Sequence, residues 1–184
     1  MDDAHHLPTL TERQRYESHR NSPNDPAYRA YLNAAVEPLL AVLKPGACGL
    51  DFGCGPGPTI SVMFAEAGFE VRNYDPFFAP DSAALEQQYD FVVCTETAEH
   101  FFNPKHEFEL LHTLVKSGGW LSLMTRILEP NQSFENWWYA KDPTHVSFYS
   151  STSVHWIAKN WCWEIMSTSN HVQLLRKSAA NTDI

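Results

Sequence analysis

The stretch that most constrains this 184-residue chain is Gly49-Leu50-Asp51-Phe52-Gly53-Cys54-Gly55-Pro56-Gly57-Pro58. An apolar run over 47–52 stops in glycines at every second position and gives way to helical spacing over 59–67. Strand, tight turn and helix are predicted in that order. Glycine is needed where backbone turns with positive φ or approaches a ligand more closely than a Cβ allows. Gly53, Gly55 and Gly57 therefore read as a backbone cradle, or as one of the plain glycine turns of any α/β protein. A dinucleotide fingerprint spaces its glycines G-x-G-x-x-G and seats a pyrophosphate at the helix N-terminus. The spacing here is D-x-G-x-G-x-G, closed by Pro58, and it fits a ligand without a pyrophosphate whose zwitterionic tail lies along the loop.

The pattern continues in register. Gly68 closes the helix, and a second strand over 69–74 ends in Asp75, placed as an acid that accepts from ribose hydroxyls. Pro76 and Phe77, with Phe78, offer an apolar wall for a planar ring. A strand over 91–94 then reaches Thr95 and Glu96 at its C-terminal edge, followed by Glu99, His100, Asn103 and Pro104. A helix is expected from Pro104 to Lys116, stopped by Ser117-Gly118-Gly119 ahead of a strand over 120–125. A helix to about Asn160 and two alternating runs, 161–167 and 172–176, read as a closing helix and an antiparallel pair.

The acidic glycine loop, the Asp75 strand end and the T-E-T-A-E-H turn together resemble class I S-adenosylmethionine-dependent methyltransferases. The likeness is to small bacterial members near the ubiquinone-biosynthesis group, and it covers roughly 46–176. It implies a Rossmann-like, doubly wound mixed α/β sheet with an antiparallel C-terminal strand pair. It also implies S-adenosyl-L-methionine held by Asp51, Gly53, Cys54, Gly55, Gly57, Asp75, Pro76, Phe77, Thr95 and Glu96, with Asp75 on the ribose and the apolar wall on adenine. One departure is visible. Residues 76–89 leave room for a short helix but not for the family's third strand, so the sheet is expected to lack it, along with the second acid on the adenine.

The loop over 127–150 is long, and long loops in compact domains usually carry function. Its Trp137, Trp138 and Tyr139 are expected to line an acceptor pocket or to cover the core. His145, in Asp142-Pro143-Thr144-His145, is the first candidate for a general base, although it could instead tie the loop to a strand edge. His100 is the second, unless it and Glu99 merely orient their turn. His106, Glu109 and His112 lack the i, i+4 spacing of a zinc helix, and no metal is expected. Residues 1–25 lack periodicity and read as an extension. Tyr16 and His19 within it either serve as a lid over the cofactor or the substrate, as the resemblance implies, with His19 touching the substrate, or belong to a solvated tail. The main domain is expected over 26–177, with a tail over 178–184. Asp25-Pro26 starts a helix to about Leu43 that Pro38 should kink or break.

A hydrophobic share of 43% suits one domain with a core, and a net charge of −9 advertises no nucleic-acid surface. The longest apolar runs are too short to span a membrane, and with four scattered cysteines read as buried thiols the chain is expected to be soluble and cytoplasmic. The expected activity is methyl transfer to a small molecule, plausibly at a hydroxyl or phenol. The alternative is a protein of this fold that binds the cofactor or a partner and transfers nothing. Oligomeric state is not legible.

Overall fold

The structure is a computed structural model and describes residues 7–17 and 21–179. Six strands form one sheet: β1 (Cys48–Phe52), β2 (Glu70–Tyr74), β3 (Tyr89–Thr95), β4 (Val115–Met124), β7 (Trp163–Thr168) and β8 (Val172–Lys177). Their order is β2-β1-β3-β4-β8-β7, with parallel pairing from β2 to β4 and antiparallel pairing from β4 through β8 to β7. The central strands carry continuous apolar runs because helices cover both of their faces. On one face Leu50, Val92, Cys94, Leu121 and Leu123 pack against α4 (Pro104–Leu114) and α5 (Ser151–Asn160). On the other, Phe91, Val93 and Met124 meet Leu32, Val36 and Leu39 of α2 (Pro26–Leu40) and Ile60 and Phe64 of α3 (Thr59–Glu66).

Local chemistry starts the helices where the sequence places them. The Asp25 carboxylate accepts from the backbone N–H of Ala27 and Tyr28, with Pro26 at the first helical position. Asn103 caps α4 ahead of Pro104, and Ser150 with Ser153 forms a reciprocal box at α5. The trimmed sheet is also as expected. Between Asp75 and β3 lie a turn closed by paired Asp75–Ala79 backbone hydrogen bonds and a 3-10 turn at Ser82–Leu85, so β2 forms the edge. Its exposed Glu70 and Arg72 discourage pairing with another chain.

Five details differ from the sequence reading. The extension contains a helix, α1 (Thr9–Glu17), invisible to periodicity because it presents a buried Glu12 joined to Tyr16 in place of an apolar stripe. Pro38 does not divide α2, since Ala35, Val36 and Leu39 on either side of it are pinned against the sheet. α4 ends at Leu114 and β4 begins before the glycine pair. Pairing jumps from Tyr89↔Val115 to Phe91↔Trp120, and the intervening residues bulge out at Gly118, with φ +73°. The long loop contains β5 (Ile127–Leu128) and β6 (Tyr149–Ser150), which pair in parallel. All four cysteines are free, but Cys48 and Cys162 are exposed rather than buried.

Candidate active site

Ligands of open α/β sheets bind beyond the carboxyl ends of the strands. A cavity of about 560 Å³ lies there, lined by the ends of β1, β2 and β3 and roofed by Tyr16 and Tyr28. A smaller hollow of about 380 Å³ sits at the opposite ends of the strands, around Gly46, Asp90 and Gly118.

At the β1 end the glycine loop is fixed by its neighbours. The N–H groups of Gly53 and Cys54 both donate to the Tyr74 carbonyl, at 2.8 and 3.1 Å. Gly53 has φ +80°, and a Cβ there would stand 2.3 Å from the Thr97 side chain. Gly55 also has positive φ, +63°, but faces open space. Gly57 is required by a different contact, since its Cβ would meet the Asn21 carbonyl oxygen at 2.1 Å. The Asp75 carboxylate ties this loop to the next. One oxygen accepts from Phe77 and Phe78 N–H at 2.8 and 3.0 Å, and the other from Gly55 N–H at 3.0 Å. Four lone-pair positions less three bonds leave Asp75 one acceptor site on its second oxygen. That is room for one ribose hydroxyl rather than two.

Asp51, at the floor, is buried with its Oδ1 lacking a hydrogen-bond partner. Burial, and then the charge of Asp75, pushes its carboxyl up to about 8. At the β3 end Glu96 adopts a left-handed backbone, φ +48°, a strained conformation of the kind that clusters at functional sites. Its N–H donates to Met124 O at 2.8 Å, and its carboxylate accepts from Tyr31 OH at 2.9 Å. Burial raises the carboxyls of both Glu96 and Glu99, and the charge of Glu99 adds to the effect on Glu96.

The end of the cavity near His100 and His145 is assembled from two segments far apart in sequence. Backbone N–H groups of Val146 and Ser147 both donate to Glu99 O, at 2.8 and 2.9 Å, and Ser147 Oγ donates to Phe101 O at 2.7 Å. Asp142 shapes the second segment by accepting from Thr144 N–H and Oγ1 and from Arg15 at 2.8 Å. Burial alone would raise the Asp142 carboxyl, but the bonds from Thr144 and Arg15 outweigh it and hold the group well below the usual carboxylate range. His100 and His145 consequently meet edge to face with centroids 5.0 Å apart. Each engages a backbone carbonyl through Nδ1, His100 with Thr144 O at 2.9 Å and His145 with Tyr139 O at 2.7 Å. Beneath them Glu99 is fully buried, with Thr125 Oγ1 donating to its Oε2 at 2.9 Å.

Every cofactor-side residue singled out from sequence, from Asp51 and Cys54 to Thr95 and Glu96, lines this one cavity, as do His100 and His145. The aromatic triplet does not. Trp137 and Tyr139 turn into the interior, and Trp138 is 64% exposed beside the Arg126 guanidinium. Tyr139 works from behind the wall, through its carbonyl to His145 and its hydroxyl to Thr125. Ring size and sequence position could not separate a buried prop from a pocket wall. His19 lies outside the described residues. Sequence reasoning missed Glu12, Tyr28 and Tyr31 as cavity residues. Both tyrosines sit on the apolar stripe of α2, and Tyr31 OH donates to Glu96 at the cavity.

A family profile described as a methyltransferase domain matches residues 20–167, most of the chain. The chain belongs to the methyltransferase-domain family. This is an enzyme family that uses S-adenosyl-L-methionine. The chain is 35% identical over 71 residues to the ubiquinone biosynthesis O-methyltransferase of Salmonella newport (strain SL254). That match covers 39% of this chain and 29% of the relative, so it spans under a third of the curated relative's length. Magnesium protoporphyrin IX methyltransferase from Synechocystis PCC 6803, solved with bound S-adenosylhomocysteine, superposes with a TM-score of 0.60 at 14% identity over 92% of this chain and 94% of that one. An O-methyltransferase family protein from Burkholderia thailandensis gives 0.56 at 11% identity, over 84% and 58%. These likenesses establish the methyltransferase fold, including the antiparallel terminal pair. The residues present fit the family's cofactor. A buried Asp51 oxygen without a donor, below an open glycine at Gly55, suits a ligand that brings cationic N–H donors and needs close backbone approach. No helix among the described residues is long and apolar enough to cross a membrane.

Proposed function

We propose that this chain methylates a hydroxyl of a small molecule. Bound S-adenosyl-L-methionine would supply an electrophilic methyl group. Asp51 and the Gly53–Gly57 loop would hold its amino-acid end, Asp75 would take one ribose hydroxyl, and Pro76 and Phe77 would flank adenine. The observation that carries the reading is that one cavity joins this cradle to His100 and His145. Alignment and exclusion of water are the protein's main contributions to such a transfer, and α1 with Tyr28 and Tyr31 covers the cavity. An oxygen acceptor must also shed a proton, and the two imidazoles border the end where that hydroxyl would sit. The O-methyltransferase name carried by the curated relatives supports oxygen as the accepting atom.

Calorimetric titration with S-adenosylmethionine and S-adenosylhomocysteine tests the cofactor half, with Asp75→Ala expected to weaken both. Transfer of isotopically labelled methyl to a panel of phenols, catechols and aliphatic alcohols tests the acceptor half. His145→Ala should lower kcat by about 10²-fold or more while S-adenosylhomocysteine still binds. Wild-type protein that binds neither cofactor form at millimolar concentration would sink the reading in favour of a fold kept without its chemistry.

A further inference from the structure

The residue that α1 buries is an acid. Glu12 is 7% exposed and lines the main cavity. A glutamate is rarely so buried unless it is paired. Yet the cations that follow it on the helix are engaged elsewhere, Arg13 with Glu17 and Arg15 with Asp142. Among the described residues the Glu12 carboxylate takes one hydrogen bond, from Tyr16 OH to its Oε1 at 2.7 Å. Burial and then the bond to Glu12 push the Tyr16 phenol far above its usual range, so the phenol keeps its proton and is the donor. A carboxylate offers acceptor positions on both oxygens, and Oε2 is left for a group that brings its own N–H or O–H into the cavity. A glutamate buried on a helix without an apolar stripe breaks the local rules of folding, and such breaches concentrate at functional sites.

Three parts of S-adenosyl-L-methionine carry hydrogen-bond donors: its ammonium group, its ribose hydroxyls and the 6-amino group of its adenine. Asp51 and Asp75 stand where the first two are placed above, and the third has no acceptor assigned. β2 is the edge of the sheet, so the wall beyond Phe77 and Phe78 comes from α1 rather than from a further strand. Tyr16 meets the Phe77 ring at 5.9 Å, and the Arg13 guanidinium lies over the Phe78 ring at 5.8 Å. Glu12 precedes Tyr16 by one helical turn and shares its face, which brings the carboxylate to the side of the cavity where Phe77 flanks adenine. From this juxtaposition we infer that Glu12 accepts a hydrogen bond from the adenine 6-amino group, and that α1 thereby reads the base of the cofactor. Tyr16 is then a positioning residue that holds one carboxylate oxygen while the other meets the base. The assignment rests on the cofactor placement proposed above. Other cavity acids are less suited, since Glu96 and Glu99 stand at the end of β3 and Glu107 contacts His106 at 3.3 Å. The Tyr16 ring also meets His100 at 5.1 Å, so contact with the methyl acceptor is the rival role for Glu12.

The test is calorimetric titration of the full chain, with no acceptor present, using S-adenosylhomocysteine and two analogues. One lacks the 6-amino group, and the other, S-inosylhomocysteine, carries a 6-oxo group that can only accept. Wild type should bind S-adenosylhomocysteine about tenfold to a hundredfold tighter than either, the range expected for one hydrogen bond to a charged group. Glu12→Gln should narrow both gaps to about threefold or less, and most for the 6-oxo analogue, to which an amide can donate. No residue of α1 belongs to either apolar core, so thermal unfolding of this variant should match wild type. Tyr16→Phe is a second variant, which keeps a ring against Phe77 but removes the donor that orients Glu12, and it should narrow the gaps in the same direction. Wild type that binds all three ligands equally would overturn the assignment and keep the cofactor site. So would a folded Glu12→Gln with wild-type discrimination, or closure of the gaps by Glu107→Gln instead. Wild type that binds none of the three at millimolar concentration would remove the cofactor placement and the role of Glu12 together.

Discussion

Three glycines two residues apart look equivalent in sequence, yet they answer to different physics, and substitution by alanine should separate them. At Gly53 an alanine would meet both a left-handed backbone, φ +80°, and the Thr97 side chain 2.3 Å from its Cβ. At Gly55 only the backbone term applies, about 1–2 kcal/mol, because nothing lies near the Cβ. Urea denaturation should therefore show Gly55→Ala losing about 1–2 kcal/mol and Gly53→Ala clearly more. Equal losses would mean that Thr97 moves aside freely. The contrast also marks what was legible. The need for glycine at 53 and 55 was readable from the strand-to-helix turn, whereas the clash behind Gly57, with a carbonyl of the segment at Asn21, depends on a contact that no local pattern encodes. Asp75 was read correctly as a strand-end acid, but its bonds to Gly55, Phe77 and Phe78 show that it builds the loop as well as facing the cavity.

Among the elements, α1 links the two ends of the cavity. Arg13 lies over the Phe78 ring at 5.8 Å, and Tyr16 meets Phe77 at 5.9 Å and His100 at 5.1 Å. Arg15 pairs with Asp142. No residue of α1 belongs to either apolar core, so the helix is positioned to cover the site without carrying the fold. We therefore expect Tyr16→Ala to weaken S-adenosylhomocysteine by about threefold to tenfold, from the loss of aromatic contacts worth about 0.5–1.5 kcal/mol, with thermal unfolding little changed. Arg15→Ala, which breaks a partly exposed ion pair worth about 0–1 kcal/mol, should do less. A large drop in melting temperature with unaltered affinity would make α1 a structural brace. The elements with strong patterns, β1, β3 and α4, were readable because burial on both sheet faces or a capped stripe leaves few alternatives. α1 was not, because its buried residue is a glutamate. The parallel β5–β6 pair was not, because two-residue strands have no period.

For the whole molecule, a net charge of −9 counts every Asp and Glu as ionised. Folding opposes this by burying Asp51 and Glu99 and partly burying Glu96 around one cavity, which raises all three carboxyls. Unfolded, Asp51 would lose its proton near pH 4; folded, it does so near 8. The folded state thus holds protons that the unfolded state has released. The associated stability is complete below about pH 4 and is lost progressively as pH rises through about 8. Ligand-free protein should melt at progressively lower temperature from pH 5 to pH 8, and Asp51→Asn, which cannot ionise, should flatten that slope. A cationic ligand reverses the balance, because a nearby positive charge favours the ionised carboxylate. Binding of S-adenosylmethionine near pH 7 should therefore expel protons, seen as an enthalpy that differs between phosphate and Tris buffers in proportion to their ionisation heats. Asp51→Asn should reduce the number released. An enthalpy independent of buffer would mean that these acids are already ionised in the free protein, and that Asp51 finds its missing donor in solvent rather than in the cofactor.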